Sequence, residues 1–586
     1  MKQAGVSAYI IPTADPHLSE YIADHWKLRE RLSGFNGSAG TLLVATDKAY
    51  LWTDSRYFLQ ATEQLDGTGI ELMKDGQAGT PNLALHICRT QKGGVVGIDG
   101  KLFAAAWVEN VSKIFDAVGI KLTTNLELDG EWKDRPQMPN SDIYAHPVCY
   151  SGEDVAQKLM RVRKEMTNHK CTHCLISALD EVAYMLNLRG GDVTFNPVFY
   201  AYLLIGSNYA NLYIDSNEAN GRHIAGTPTE KVLNTDGINV KPYADITKDL
   251  ERLGREAKVL IDKRNTNHLV ANALKDSNIK DAASPASMMK AVKNDIQVEN
   301  LKKAQLQDSV AMTKAFCWLE NEIEKNGAVT EQSFADKLDK CRAEREGYKS
   351  LSFNTISAFA HHGAIVHYSV SQETDIQLHK GEFFLVDSGG NYMTGTTDIT
   401  RTVHLGGNTP SNRKKDYTLV LKGHIALARA VFPTGTTGTQ LDALARMPLW
   451  QSAKNFGHGT GHGIGHFLCV HEGPQRISTA INTVPLAKGM FISNEPGLYI
   501  EGNYGIRLEN MVCVQPFATN EFGTFLKLET MSYFPFDIES IETDMLDETE
   551  KKWLNDYHQK TFKDITATGL LTKEEMDWLK NKTKKI

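Results

Sequence analysis

The sequence predicts a multidomain α/β (α+β) protein, and three observations lead to that fold class. The 586 residues exceed the ~250–300 at which a single hydrophobic core stops growing. The first half alternates short apolar runs with helical patterns and Gly-rich turns. The last part begins with two helical patterns and continues with a series of β-rich segments, which indicates an antiparallel sheet backed by helices.

Composition excludes several classes of protein. The hydrophobic fraction is 41% and the charged fraction 23%, as in ordinary soluble globular domains. The net charge is −7 without a basic block, so nucleic acid is not expected as a partner. No apolar run reaches the ~18–20 residues that span a bilayer, so no membrane partner is expected. The eight scattered cysteines indicate free thiols and a cytoplasmic location.

The first domain begins with a predicted strand, VSAYIIP, followed by strands at Thr41–Thr46, Ala49–Thr53 and Gly94–Ile98. Met1–Gly5 is typical of the last turn of a helix that ends at Gly5, so we expect that the natural start lies upstream or that the chain was shortened. The polar, Pro-rich segment Asp129–Asn140 is the predicted linker to the next domain.

The first two domains share an order of elements. IIPTADPHLSEYI and LSGFNGSAGTLLVATDKAYLWTD are matched by LISALDEVAYML and NLRGGDVTFNPVFYAYLLIGSNYANLYID. Both runs predict a strand, an acidic turn, a short helix, a Gly-rich loop and a hairpin, so a duplication is expected. Cys171 and Cys174 have metal-ligand spacing, but no second ligand pair follows, and a strand with an inward-facing Cys is favoured.

The third region begins after a boundary near Ser284–Asn294. Its pattern predicts a helix over about Asp295–Lys325, a second helix capped by Thr330, and another over Thr418–Val431. Near the end of the chain, a capping box begins a helix that carries Trp553 four residues before Tyr557. We expect this terminal stretch to be a structural appendage.

Five residues of the last third have the types and order of a two-metal hydrolytic site, in the strings LVDSGG, TTDITR, GTGHGIGH, SNEPGLY and IRLENM: Asp387, Asp398, His462, Glu495 and Glu509. Carboxylates can bridge cations, and two ions ~3.5–4 Å apart can activate a water and polarise a scissile carbonyl. Each glutamate alone is more often a surface residue, and the alternative for the two aspartates is a pair of solvated turn residues. The joint occurrence of the five residues favours a metal-dependent hydrolase.

The local contexts support this interpretation. Asp387 ends an apolar strand, and a hairpin can return the chain to Asp398. GHGTGHGIGHF resembles a zincin pair only in spacing, because its glycines each cost ~1 kcal/mol in a helix and the glutamate of HExxH is missing. Glu509 lies two residues after Arg507, and a buried Glu requires a metal or an Arg beside it.

Three further histidines could face such a site: His367 in AIVHYS, His458, and His471 in VHEGP. A lone His is usually a structural hydrogen bonder. Beside a two-metal centre an imidazole can also move protons and stabilise an oxyanion near neutral pH.

These strings resemble the pita-bread metallopeptidases, and within them the long, three-domain Xaa-Pro aminopeptidases. AYIIPTADPHLSEYI, SGFNGSAGT, WTDSRYFLQA and LNLRGGDVTFNPVF carry the resemblance through the first two domains. It implies two creatinase-type N-terminal domains and a pita-bread catalytic domain, with a C-terminal extension. The expected domains are 1–140, 141–289 and 290–586, the extension covering about 540–586.

The resemblance also implies roles for the site residues. Asp387 corresponds to a ligand of one metal, Asp398 and Glu509 to bridging carboxylates, and His462 and Glu495 to ligands of the other metal, Glu495 being also the proton shuttle. Residues expected to hold substrate or stabilise the intermediate are His367, His458 and His471, with Tyr499 in the pocket, Arg507 behind the ligands and Arg56 reaching the peptide tail. One departure is His466, where a small residue is often seen.

The implied cofactor is a pair of divalent ions per chain, expected to be manganese, with cobalt or zinc able to replace it. The implied substrates are peptides with proline at position two, and the implied assembly is a homodimer. The alternative enzyme is a prolidase, which shares the metals but cleaves dipeptides. A creatinase-like hydrolase or a non-catalytic binding protein would lack some ligands, and a methionine aminopeptidase would not need the long region before residue 290.

Overall fold

The computed structural model describes residues 1–128, 130, 132–215 and 227–586, whose contacts group them into two units. Unit 1 consists of Met1–Val148 and Glu153–Met288, and unit 2 of Cys149–Gly152 and Met289–Ile586. Two residues of the predicted linker, 129 and 131, lie outside the described part of the chain. Helices and strands are mixed in both units, which confirms the α/β (α+β) class.

Unit 1 contains two six-stranded sheets. The strands of the first are β1 to β6, in chain order Ala8–Pro12, Thr41–Ala45, Ala49–Thr53, Ile70–Lys74, Val95–Gly97 and Lys121–Thr123. The strands of the second are β7 to β12, in chain order His173–Ile176, Ala201–Gly206, Ala210–Ile214, Ile238–Pro242, Lys258–Ile261 and Asn278–Asp281. A separate two-stranded pair joins Tyr144–Ala145 to Leu188–Arg189.

The two sheets have the same topology. Their orders are β4-β3-β2-β1-β5-β6 and β10-β9-β8-β7-β11-β12, so each strand has its counterpart at the same place. In each sheet the first three strands pair antiparallel, and the remaining pairs are parallel. This agreement is what a duplication predicts.

Nine helices of the described part of unit 1 accompany these sheets as α1 to α9, in chain order Leu28–Ser33, Phe58–Gln64, Leu83–Thr90, Ala105–Asp116, Val155–Asn168, Leu179–Met185, Pro228–Thr235, Ile246–Arg252 and His268–Asn272. Two more helices, Val148–Ser151 and Pro285–Ala291, lie at the unit boundaries. Cys174 is buried on β7, as predicted, and all eight cysteines are free thiols. The predicted last helical turn at Met1–Gly5 is a non-helical turn with Gly5 at φ +66°.

Unit 2 is built on antiparallel strands. They are β13 to β26, in chain order Tyr348–Leu351, Ile356–Phe359, Phe383–Ser388, Gly390–Tyr392, Gly395–Thr396, Ile399–His404, Val431–Pro433, Gly461–Gly463, Glu472–Ile477, Phe491–Asn494, Gly497–Ile500, Tyr504–Arg507, Asn510–Asn520 and Gly523–Thr530. The largest sheet has the order β19-β26-β25-β22-β20-β21, beside the three-stranded sheets β14-β15-β18 and β13-β16-β17 and the hairpin β23-β24.

The helices of unit 2 pack on these sheets as α10 to α15: Asp295–Glu324, Glu331–Ala343, Ser411–Ala428, Gly438–Trp450, Glu548–Thr566 and Lys573–Lys582. The long helix α10 begins with a capping box at Asn294, and α11 begins with one at Thr330, as predicted. Phe316 of α10, Phe334 of α11 and Phe384 of β15 meet in one buried cluster, which fixes β15 against both helices.

Two expectations about unit 2 were wrong in detail, and one helix was not predicted. The helix predicted at Thr418–Val431 is α12, which starts seven residues earlier after Pro410 and ends before Val431, the first residue of β19. Its first residues, SNRKKD, are all polar and gave no apolar signal. The next helix, α13, was missed because Pro448 lies inside it. The terminal stretch is not an appendage, since Tyr557 of α14 is buried in the core of unit 2.

No helix in the described part of the chain combines the length and the apolar character needed to cross a membrane.

Candidate metal centre

Two adjacent strands and one loop place three of the predicted carboxylates. Asp387 lies near the end of β15, and Asp398 directly precedes β18, its antiparallel neighbour. Glu509 lies between β24 and β25, where its backbone N–H donates to Thr400 O at 3.0 Å. The Thr400 hydroxyl also donates to Oε2 of Glu509 at 2.8 Å, so β18 holds both the backbone and the side chain of this glutamate.

Two strands of the large sheet place the other two ligands. His462 lies in β20, and Glu495 directly follows β22. A Cβ on Gly461 would lie 2.0 Å from Ser493 O, so a glycine is required for the close approach of these strands. Ser493 then ties the two ligands together, because its hydroxyl accepts from the His462 N–H at 2.9 Å and donates to Glu495 Oε1 at 3.1 Å.

The ligand atoms converge. One ligand atom each from Asp398, His462 and Glu509 lies within 4.8 Å of the others, as a metal ion requires. His462 Nε2 lies 3.6 Å from Asp398 Oδ2 and 3.3 Å from Glu495 Oε1. Burial of Asp398 raises its pKa well above the usual range, and the charges of Glu509 and Asp387 raise it further. Asp387 is therefore close enough to Asp398 for their charges to interact.

The charges of this cluster need a cation. Burial, together with the charges of Asp387 and Glu495, raises the pKa of Glu509 well above its usual range. Burial alone would lower the pKa of His462, but the hydrogen bond and charge of Glu495 raise it to about 9. The burial of Glu495 is outweighed by His462, which lowers the pKa of that carboxyl, so Glu495 is ionised at neutral pH.

Two buried oxygen atoms show that the donor set fits metal ions. Oδ1 of Asp387 and Oε1 of Glu509 are buried and have no hydrogen-bond partner among the described residues. An unpaired carboxylate oxygen is costly in a protein interior, and a cation satisfies it. Four carboxylates and one imidazole form an oxygen-rich set that suits hard divalent ions.

Arg507, Tyr499 and His458 form a hydrogen-bonded chain beside the ligands. Arg507 Nη1 donates to the Tyr499 hydroxyl at 2.7 Å, and this hydroxyl lies 2.8 Å from His458 Nε2. Because His458 Nδ1 donates to Gly459 O at 2.7 Å, its Nε2 accepts from Tyr499. Burial lowers the pKa of His458 to about 4, which keeps the imidazole neutral, and its Nδ1 is 4.0 Å from Glu495 Oε2.

Of the other predicted residues, the histidines His367, His466 and His471 lie in unit 2, and Arg56 lies in unit 1. The ring of His471 meets that of His462 edge to face, with centroids 4.4 Å apart. His367 is half-buried and directly precedes Tyr368, whose hydroxyl donates to the buried carboxylate of Glu331 at 2.8 Å. Arg56 belongs to unit 1, where it forms two hydrogen bonds with Asp54, at 2.8 and 2.7 Å. His466 is buried.

Arg401 is a residue of the site that the sequence analysis missed. It follows Asp398 by three residues on β18, and it is fully buried. Its guanidinium donates to Glu509 O at 2.5 Å, to Asn510 Oδ1 at 2.7 Å and to the Tyr557 hydroxyl at 2.9 Å. The available signal was a cation inside a segment rich in β-branched residues, TTDITRTVHL. Arg401 therefore connects the strand of Asp398 to the backbone of Glu509 and to helix α14.

Family models match the chain along most of its length. Residues 299–516 match Metallopeptidase family M24, and residues 524–586 match the C-terminal region of peptidase M24. Residues 1–126 and 134–297 match two models described as Creatinase/Prolidase N-terminal domain. A relative from Laccaria bicolor, "Probable Xaa-Pro aminopeptidase P", is 39% identical over 605 residues, covering 99% of this chain and 91% of that protein. The chain belongs to metallopeptidase family M24.

Other members of the family are similar over the whole chain. "Aminopeptidase P2" of Arabidopsis thaliana is 39% identical and covers 99% of this chain and 86% of its own length. A solved structure of X-prolyl aminopeptidase from Caenorhabditis elegans superposes with a TM-score of 0.94 at 32% identity, covering 99% of this chain and 95% of that one. That protein is described as a cytosolic enzyme with a di-nuclear active site. The fold of this chain is therefore that of creatinase-type domains followed by an M24 pita-bread domain, as predicted.

Proposed function

We propose that this protein is a dinuclear-metal aminopeptidase that hydrolyses the N-terminal Xaa-Pro bond of peptides. The observation that carries the proposal is the meeting of Asp398, His462 and Glu509 within 4.8 Å, beside Asp387 and Glu495, in a chain of family M24. Relatives named Xaa-Pro aminopeptidase P, which match from end to end, support the choice of bond.

The proposed cofactor is a pair of divalent ions per chain. Asp387 would hold one ion, His462 and Glu495 the other, and Asp398 and Glu509 would bridge them. When bound, the ions would supply an activated water and polarise the scissile carbonyl. We propose manganese because carboxylate oxygens dominate the donor set, and cobalt or zinc are the alternatives.

Glu495 is the proposed proton shuttle. Its Oε1 lies 3.3 Å from His462 Nε2, next to the proposed ligands, where a carboxylate can act as a general base. It would accept the proton of the attacking water and deliver it to the proline nitrogen when the peptide bond breaks. The Ser493 hydroxyl, 3.1 Å from Oε1, holds the carboxylate in place during both transfers.

The pair of Tyr499 and His458 is proposed to lie against the reacting carbonyl. The Tyr499 hydroxyl donates to His458 Nε2, so this hydrogen bond orients both side chains towards the proposed position of the carbonyl. Arg507 holds the hydroxyl from the other side. His471, next to His462, and His367 are proposed to position the substrate and stabilise the intermediate.

The preference for proline follows from its chemistry. The proline ring fixes φ and its nitrogen carries no hydrogen, so an enzyme that grips that N–H fails on such a peptide. The acidic ligands could receive the free ammonium group of the first residue. Arg56 is proposed to reach the peptide tail, and it would then have to exchange its partner Asp54 for the peptide.

Three further features belong to the proposal: the domain bounds, the assembly and the location. We propose the domain bounds 1–140, 141–289 and 290–586, with an extension over about 540–586.

We also propose that the protein is a homodimer formed through the catalytic domains by two-fold symmetry, which light scattering at micromolar concentration would reveal. A cytoplasmic location follows from the free thiols.

A peptide cleavage assay with metal analysis of the same sample tests the proposal. Arg-Pro-Pro separates an aminopeptidase from a prolidase, because a prolidase requires a free carboxylate on the proline. Release of free arginine from the tripeptide is expected. Hydrolysis of Xaa-Pro dipeptides alone would identify a prolidase, and binding of Xaa-Pro peptides without hydrolysis would indicate a non-catalytic binding protein.

A further inference from the structure

Helix α13 carries a buried ion pair that is outside the ligand set. Arg446 Nε donates to Asp442 Oδ2 at 2.7 Å, one helical turn away, and both side chains are almost completely buried. A buried ion pair contributes little net stability, because desolvation offsets the attraction. The role of Arg446 and Asp442 is therefore indicated by the other groups to which they donate or from which they accept hydrogen bonds.

The remaining donors of Arg446 go to the loop that carries His458. Nη1 donates to Phe456 O at 2.7 Å, and Nη2 donates to His458 O at 2.7 Å. The guanidinium also lies over the Phe456 ring, 3.8 Å from its centroid. A planar guanidinium with fixed N–H directions can hold two carbonyls of one loop in a single geometry.

The second carboxylate oxygen of Asp442 holds Thr460, which in turn binds the backbone of Glu495. Asp442 Oδ1 accepts the Thr460 hydroxyl at 2.6 Å, and Thr460 O accepts the Glu495 N–H at 2.8 Å. The loop between Phe456 and Thr460 contains Gly457 and Gly459, whose backbone would otherwise have wide conformational freedom. The ion pair thus restrains a Gly-rich loop at both ends.

We propose that Arg446 and Asp442 are positioning residues for His458. They fix the loop so that His458 meets Tyr499 at 2.8 Å and lies beside Glu495. The inference rests on the proposed role of His458 in the reaction. Neither residue belongs to the metal ligands, so the loss of either should change the chemical step and leave the bound metal in place.

Kinetics of Arg446→Met and Arg446→Lys test the proposal, with an Xaa-Pro-Yaa peptide as substrate and metal content measured on the same samples. We expect kcat of Arg446→Met to fall about 10- to 100-fold, the scale of a misplaced catalytic group, with a much smaller change in KM and wild-type metal content. Arg446→Lys should retain an intermediate kcat, because an ammonium can reach one carbonyl but not both.

Arg413→Met is the matched control in unit 2. Arg413 forms an ion pair with Glu382 at 2.6 Å and lies over the Tyr504 ring, 5.1 Å from its centroid, so its removal costs an ion pair and a cation–ring contact in the same unit. Its kcat should remain within about twofold of wild type, since an ion pair with a partly exposed partner contributes little. If Arg446→Met does not fold, Asp442→Asn, which keeps the size of the side chain, replaces it.

The double variant with His458→Ala distinguishes positioning from general damage. If Arg446 acts through His458, adding Arg446→Met to His458→Ala should lower kcat no further than about threefold. Additive losses would overturn the proposal. If Arg446→Met matches the control while His458→Ala is impaired, positioning is wrong and the role of His458 stands. If His458→Ala keeps wild-type kcat, the role of His458 fails, and the positioning proposal fails with it.

Discussion

Arg507 donates two hydrogen bonds to the same oxygen of Asp387, from Nη2 at 2.6 Å and from Nε at 3.1 Å. The other oxygen, Oδ1, is buried and has no hydrogen-bond partner among the described residues. The guanidinium therefore fixes the orientation of the carboxylate while leaving one oxygen for a cation. These residues are 120 positions apart in the chain, and the ion pair joins β15 to β24 at the centre of the proposed site.

The first prediction concerns the number of metal ions. Four carboxylates and one imidazole should hold two divalent ions per chain, because Asp387 and Glu509 each have an unsatisfied buried oxygen. Chelation should abolish activity, and manganese should restore it. Elemental analysis of the dialysed protein checks the stoichiometry, and full activity with one ion or none would contradict it.

The second prediction concerns Glu495. Glu495→Gln keeps the size of the side chain but removes the base, so kcat should fall by several orders of magnitude with a smaller change in substrate affinity. Steady-state kinetics at saturating manganese separates loss of the shuttle from loss of the metal. A variant within about tenfold of wild type would place the shuttle on another residue.

The third prediction concerns the histidines beside the ligands. His458→Ala and His471→Ala should each lower kcat by about 10²–10³, the effect of losing one proton-transfer group or one oxyanion donor. Metal content should stay near that of wild type, since neither is in the proposed ligand set. Loss of metal in His458→Ala would show that ligands and catalysts were divided wrongly.

Much of this site follows from local sequence, and the rest depends on long-range packing. Asp387 and Asp398 were predictable because a hairpin of apolar strands is a local pattern, and the same holds for the capping box at Thr330. The hydrogen bond from Arg401 to Asn510, a residue 109 positions later, was not predictable because it depends on long-range packing. Arg446 was missed together with its helix, because a proline at position 448 interrupts the helical pattern in the sequence. In the structure, Pro448 is buried inside the helix, which continues past it to Trp450.

The fourth prediction concerns stability in acid. Burial lowers the pKa of His424 to about 3 and that of His558 to about 3. The nitrogen Nε2 of His558 accepts the Phe536 N–H at 3.1 Å, so protonation would break that bond. The unfolded chain binds these protons near the ordinary pKa of about 6.5. Between about pH 6.5 and about pH 3 the unfolded chain therefore binds more protons than the folded chain, so the free energy of unfolding decreases as the pH falls.

Urea unfolding at several pH values measures this effect. Each buried imidazole should contribute a slope of about 1.4 kcal/mol per pH unit over that range. His558→Gln should make the slope shallower by one proton, because it removes one buried imidazole. An unchanged slope in His558→Gln would mean that this residue is not buried as a neutral imidazole.

The last prediction concerns specificity. Peptides Xaa-Pro-Yaa should be cleaved between the first two residues, with Xaa varied broadly, and Xaa-Ala-Yaa poorly or not at all. N-acetylation should block cleavage, because it removes the charge that the acidic ligands would receive. Matched Pro and Ala peptides, compared by kcat/KM, test both points. If Xaa-Ala peptides are cut equally well, the preference for proline is wrong, and the four carboxylates with His462 still identify a metallopeptidase centre, since that assignment depends on their geometry and not on the substrate.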